Sequence, residues 1–234
     1  MSDTGDRTPP TAQAKEWRDF HETKARTNHP KWPNEAMVKV LFGSYASEPP
    51  SPGADWHVLD VGCGFANNLL PFLDLGCACS GVEVDTVIAE LAQGIIRERG
   101  FTADIRAGDN THLPFGDGEF DLLLSVNTIH YQGTREEMRR ALAEFRRMLR
   151  PGGWAYLSTV GPDHTIRRRA ADLGDGCFRI QNFDFRDGQQ FFFFDDRTEF
   201  ERELGSVFAS VEVGRVTEDL MTLPLDFLVA LVRA

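Results

Sequence analysis

The stretch Val58-Leu59-Asp60-Val61-Gly62-Cys63-Gly64-Phe65-Ala66-Asn67 constrains the fold more than any other part of the chain. The apolar run from Trp56 to Val61 reads as a buried strand with Asp60 near its end. Gly62 and Gly64 follow at once, and 67–75 reads as a helix stopped by Gly76. A strand, a glycine turn and a helix in that order open a nucleotide-sized crevice at the carboxyl end of a parallel strand. The glycines alone discriminate poorly, because any turn that needs φ > 0 uses them. Asn67 stands where the dinucleotide pattern G-x-G-x-x-G has its third glycine. An acid two residues before the first glycine is also atypical of a nicotinamide site.

The same unit then repeats. An apolar strand at 78–84 ends in Glu83-Val84-Asp85. The apolar residues Ile88, Leu91, Ala92, Ile95 and Ile96 form one helix face, and Gly100 stops that helix. A short strand at 101–106 leads to Gly108-Asp109. A nearly all-apolar strand at 120–126 fits burial on both faces. Thr134 and Glu137 form a capping box for a helix striped by Met138, Leu142, Phe145 and Leu149. Pro151-Gly152-Gly153 turns the chain into a fifth strand at 154–159. Repeated strand–helix units with right-handed crossovers predict an α/β fold with a doubly wound, mostly parallel sheet. The end differs: a helix finishing at 200–204 precedes two strands, 208–216 and 223–232, joined by a short polar link.

The flanking regions give a domain plan. Residues 1–10 are polar, contain Pro9-Pro10 and read as a disordered tail. Residues 11–53 read as a helical extension and linker. Trp17 and Phe20 share one face, His29-Pro30-Lys31-Trp32-Pro33 breaks the first helix, and Asn34 caps a second that carries Met37, Val38, Leu41 and Phe42. The main domain is 54–234, with an insertion at 160–195 that shows no repeating unit. It is too long for an ordinary connection, and its aromatic content, including Phe191-Phe192-Phe193-Phe194, argues against disorder.

Composition excludes some classes. No apolar run reaches the length of a membrane span, and the polar N-terminus has no secretory apolar core. The four cysteines lack zinc spacing and read as reduced cytoplasmic thiols, and no metal site stands out. A net charge of −11 disfavours nucleic acid, which selects basic faces. The expected setting is a cytoplasmic monomer or homodimer with no membrane or nucleic-acid partner.

Asp60-x-Gly62-x-Gly64 resembles the first motif of class I S-adenosylmethionine-dependent methyltransferases, with Ala66 where that family usually has a third glycine. Glu83 matches the acid that ends the family's second strand. Gly108-Asp109-Asn110 matches its adenine-binding position. Leu113-Pro114-Phe115 with Phe120-Asp121-Leu122-Leu123, and Arg147-Met148-Leu149-Arg150-Pro151-Gly152-Gly153, match its approaches to the fourth and fifth strands. The resemblance covers 56–160 by motif and 200–234 by architecture. It implies a Rossmann-like seven-stranded sheet closed by an antiparallel hairpin, and S-adenosylmethionine as cofactor. Contacts are implied at Asp60, Gly62, Cys63, Gly64 and Asn67 on the first loop, and at Glu83 and Val84 on the ribose side. Asp109, Asn110 and Thr111 are implied beside the adenine, and Asn127 after the fourth strand.

The resemblance also implies methyl transfer to a small-molecule acceptor, at an O or N atom, in biosynthesis. His130 and His164 are candidate general bases, since histidine titrates in the useful range. Tyr131, Phe183 and Phe193 are candidate walls of the acceptor pocket, and the N-terminal helices are a candidate cover. No Asn-Pro-Pro-Tyr motif follows the fourth strand, which disfavours amino methylation of nucleic acid, and no Pro-Cys nucleophile suits cytosine C5 chemistry. Two rivals keep the cofactor: attack at another carbon of the sulfonium, releasing methylthioadenosine, and a non-catalytic S-adenosylmethionine-binding subunit.

Overall fold

A computed structural model describes residues 12–27, 31–221 and 223–234. The expected tail at 1–10 and the break at His29-Pro30 lie outside the described residues. In chain order the elements are α1 (Ala12–Thr27), α2 (Glu35–Phe42), β1 (His57–Val61), α3 (Leu70–Asp74), β2 (Ala78–Glu83), α4 (Thr86–Glu98), β3 (Asp104–Ala107), β4 (Phe120–Val126), α5 (Arg135–Met148), β5 (Leu149–Val160), α6 (Thr165–Arg168), β6 (Ala170–Gly174), β7 (Cys177–Ile180), β8 (Gln190–Phe192), α7 (Arg197–Gly205), β9 (Ser210–Leu220) and β10 (Leu223–Arg233).

Seven strands form one sheet in the order β3-β2-β1-β4-β5-β10-β9. The first five run parallel, and β10 inserts antiparallel between β5 and β9. The doubly wound sheet and its closing hairpin are therefore as the sequence predicts. The chain reverses direction of travel across the sheet between β1 and β4, the switch point beside which α/β folds place ligands.

Helices cover both faces. One core gathers the α5 stripe (Met138, Ala141, Leu142, Phe145, Met148) with Leu59, Leu123 and Leu157 of the sheet. The other sets Phe72, Ala89, Ala92 and Ile96 against Val58, Leu122, Leu124 and Tyr156. Local signals start the helices where expected. Asn34 accepts from the Met37 amide at 2.9 Å and caps α2, and Thr134 accepts from the Glu137 amide at 3.2 Å and caps α5.

Several expectations are corrected. The helix predicted over 67–75 opens as a 3-10 turn, Asn67–Leu69, and is α-helical only from Leu70. Leu149, assigned to the helix stripe, begins β5. Pro151-Gly152-Gly153 makes an irregularity inside that strand, since Phe120 pairs with Leu149 but Leu122 with Trp154. The insertion is built of regular elements: β6, β7 and β8 form a separate antiparallel sheet. Its core is Val160, Ile166, Phe178, Ile180, Phe191 and Phe193.

Candidate functional site

Above the carboxyl ends of β1, β2, β3 and β4 lies a cleft of about 750 Å³, within the range of small-molecule sites (~300–1,000 Å³). Its floor is the glycine turn. Gly62 and Gly64 have φ of +70° and +57°, and the Gly62 and Cys63 amides both donate to the Val82 carbonyl, at 2.9 and 3.1 Å. A Cβ at Gly62 would meet Thr128 Cγ2 at 2.4 Å, so only glycine lets the β1 and β4 loops close together. A Cβ at Gly64 would find only His21 Nε2, at 3.7 Å, within reach, so it would project beneath α1. Ala66 takes the same left-handed conformation (φ 57°), a strain that only the smallest side chain keeps small.

Glu83 lines the cleft from the end of β2. Its Oε1 accepts from the Gly64 amide at 2.6 Å and its Oε2 from the Val84 amide at 3.0 Å, which ties the glycine turn to β2. Burial holds its carboxyl above the usual range, against the opposing pull of His21 and of the two amides. Val84, Asp109, Asn110 and Thr111 continue the wall. Asp109 Oδ1 accepts from the Thr111 amide at 2.8 Å, and Asn110 Nδ2 reaches the Thr128 carbonyl at 3.3 Å. Asn127 sits at φ 58°, a region asparagine tolerates, with its Oδ1 accepting from Ser158 Oγ at 2.9 Å.

Three further residues assigned to the cofactor lie behind this wall. Asp60 is fully buried in the central strand, and neither carboxylate oxygen meets a hydrogen-bond partner among the described residues. Burial pushes its carboxyl well above the usual range, the charge of Glu83 adds to that, and Asn68 opposes it slightly. Cys63 packs against Gly81, where a Cβ would meet its sulfur at 2.9 Å. Asn67 is in the 3-10 turn, its Oδ1 buried without a hydrogen-bond partner among the described residues.

Of the acceptor-side residues, Tyr131 lines the cleft. Arg186 Nε donates to its hydroxyl at 3.0 Å, and burial lifts its pKa to about 12. His130 does not line the cleft. It is buried against Tyr131, Phe191 and Phe193 (ring centroids 4.4, 5.4 and 6.4 Å), and its Nδ1 meets no hydrogen-bond partner among the described residues. Burial lowers its pKa to about 3, helped by Arg186 and His164, so the imidazole is neutral and weakly basic. His164 instead caps α6, its Nδ1 accepting from the Ile166 amide at 3.0 Å, with a pKa lowered by burial to about 4. Phe193 is fully buried in the core of the small sheet, and Phe183 lies 5.8 Å from the guanidinium carbons of Arg169 and Arg186. None of His164, Phe193 and Phe183 reaches the cleft.

The sequence offers the helical extension, His21 and His29 included, as a candidate cover but gives none of its residues a contact in the site. Trp17 and His21 of α1, with Arg186 of the insertion, close the cleft from above, and Gln132, Glu137 and Arg140 line its α5 side. Trp17 meets Tyr131 and Phe185 edge-on at 5.0 Å each, and Phe20 stacks on Phe185 at 4.7 Å. Arg18 grips Asp85 through two hydrogen bonds, fixing α1 to the residue that caps α4. The shared face of Trp17 and Phe20 was the available signal; which element it would cover lies in contacts too distant in sequence to read.

Residues 59–157 match the profile of the methyltransferase domain family. Those residues therefore carry a methyltransferase domain, and the chain shares the fold of S-adenosylmethionine-dependent methyltransferases of known structure. A protein of Encephalitozoon cuniculi named as a methyltransferase is 36% identical over 120 residues, 51% of this chain and 52% of that protein. A protein of Mus musculus named for tRNA methyltransferase 9B is 36% identical over 114 residues, 47% of this chain and 23% of that one. The chain thus spans about half the length of the first relative and less of the second.

Among solved structures, a SAM-dependent methyltransferase from Methanosarcina mazei superposes with a TM-score of 0.66 at 18% identity, covering 86% of this chain and 98% of that one. The 1,6-didemethyltoxoflavin-N1-methyltransferase of Burkholderia thailandensis, with its heterocycle and S-adenosylhomocysteine bound, gives 0.60 at 18% identity over 97% and 92%. These structures show the shared fold.

The residues present fit the cofactor. The glycine turn leaves open the volume a Cβ at Gly64 would fill, and Glu83 lines the same cleft.

Proposed function

We propose that this chain transfers the methyl group of S-adenosylmethionine to an O or N atom of a small molecule. The observation that carries the reading is the roofed cleft. Its floor and β2 wall suit the nucleoside, and the same cleft is also lined by Tyr131, Gln132, Glu137 and Arg140. Gly62, Gly64 and Glu83 would hold the ribose and methionine part, and Asp109, Asn110 and Thr111 the adenine. The bound cofactor supplies an electrophilic methyl on a sulfonium centre.

The protein's work is then positional. Trp17 and Tyr131 wall the acceptor and exclude water, and alignment of this kind contributes several kcal/mol, up to about 7–11. Neither Tyr131, with a pKa of about 12, nor His130, at about 3, is poised to take a proton near neutrality. We read His130 as support for Tyr131 rather than as a base.

The test incubates the purified chain with S-adenosylmethionine and a panel of hydroxy and amino heterocycles and carboxylates, with a tRNA arm prompted by the mouse relative's name. S-adenosylhomocysteine and a methylated small molecule are expected. Methylthioadenosine would replace methyl transfer with attack at another carbon. Methylated tRNA would replace the acceptor class, and cofactor binding without turnover would leave a regulatory subunit.

A further inference from the structure

We propose that His21, on the roof, holds the cofactor from above by accepting a hydrogen bond from a ribose hydroxyl at Nε2. This rests on the reading of the cleft as a cofactor site and adds a contact outside the matched domain segment 59–157.

Three observations converge on it. His21 is only 5% exposed and lines the cleft, so its ring faces the cavity and not bulk solvent. Its Nδ1 lies 2.9 Å from the Trp17 carbonyl. A carbonyl only accepts, so Nδ1 is the donor in that bond, and Nε2 is the ring atom left to accept when the imidazole carries a single proton. No hydrogen bond from a described residue reaches Nε2, and that atom lies 3.7 Å from the position a Gly64 Cβ would take. The Gly64 amide in turn donates to Glu83 at 2.6 Å. An acceptor on the roof and a carboxylate on the wall therefore both reach the glycine turn at Gly64, one over its Cα and one at its amide.

A pair of vicinal hydroxyls is the part of the cofactor that needs several acceptors in so small a space. Each Glu83 oxygen already receives one backbone amide, which lowers what it can offer a diol. A second acceptor on the opposite side completes the set. The ring is held for this by contacts with Trp17, Phe20 and Phe65 (centroids 5.4, 5.5 and 5.1 Å). The Arg18–Asp85 pair one turn below fixes the height of α1 above the cleft.

The experiment compares the wild-type chain with His21→Phe, which keeps an aromatic ring in the roof. Calorimetric titrations use S-adenosylhomocysteine, methylthioadenosine, and the 2′-deoxy and 3′-deoxy forms of methylthioadenosine. His21→Phe should weaken S-adenosylhomocysteine and methylthioadenosine equally, by about 3- to 10-fold, the scale of one neutral hydrogen bond. One deoxy analogue, lacking the hydroxyl that His21 holds, should bind both proteins alike. Uniform weakening of all four ligands would reduce His21 to a packing role and overturn the proposal. So would equal binding of S-adenosylhomocysteine by both proteins, or a loss confined to S-adenosylhomocysteine, which would move the contact to the amino-acid end. Failure of the wild-type chain to bind S-adenosylhomocysteine would instead count against the cofactor site itself.

Discussion

Asp60 and Glu83 are two buried carboxylates with different surroundings. Glu83 accepts two backbone amides, whereas Asp60 lacks any such partner among the described residues. Both carboxyls are held above the usual range, Asp60 far more strongly. The folded chain therefore keeps a proton on Asp60 that the unfolded chain releases above about pH 4, and stability from this residue falls as pH rises from there toward its folded pKa. Asp60→Asn removes that loss. Its stability advantage over wild type should be absent near pH 4 and should grow by up to about 1.4 kcal/mol per pH unit above it. Chemical denaturation at several pH values measures this, and a pH-independent difference would refute it. Glu83→Gln should weaken S-adenosylhomocysteine by about 1.5–3 kcal/mol, the range for hydrogen bonds to a charged group. An unchanged dissociation constant would remove Glu83 from the ribose site.

Among the elements, the roof is where the insertion and α1 meet over the cleft. Arg186 joins the insertion to Tyr131 and to Asp184, and it lies over Phe185, which touches α1. Arg186→Met should therefore raise the KM for the acceptor by roughly 3- to 10-fold, as for loss of one hydrogen bond, and leave S-adenosylhomocysteine affinity nearly intact. Amide exchange over 184–190 should quicken at the same time. Equal effects on cofactor and acceptor would place the latch elsewhere. These contacts also mark the limit of what the sequence shows. The glycine turn, Glu83 and the Asp109 loop are legible because each lies within a few residues of a strand end. The sheet is legible because buried parallel strands write continuous apolar runs. The Phe191–Phe194 run signals burial but not its destination, and its alternate residues serve two different cores. Likewise His164 and His130 have the right chemistry in sequence, but their environments, a helix cap and an aromatic cluster, come from residues far along the chain.

For the molecule as a whole, charge works in opposing directions on stability. Glu203 is buried and bound by Arg139 (2.8 Å twice) and Arg135 (3.1 Å), and the Arg139 hydrogen bond is the main reason its carboxyl is held below the usual range. This contribution is complete above the unfolded carboxylate range and is lost as pH falls through the lowered folded pKa. Glu203→Gln should cost about 1.5–3 kcal/mol near neutrality, and less below pH 4, where the wild-type side chain also loses its charge. A destabilisation that does not shrink on acidification would show that packing rather than charge is responsible. The small sheet β6-β7-β8 has consequences beyond stability. It leaves the large sheet after β5, returns before α7, and carries a core of its own. Such a piece behaves as an exchangeable cassette. If the acceptor binds as proposed, the nucleotide platform can stay unchanged while selection or an engineer rewrites the insertion that carries Arg186 into the cleft, so chains with this platform can diverge in what they modify long before they diverge in how they are powered.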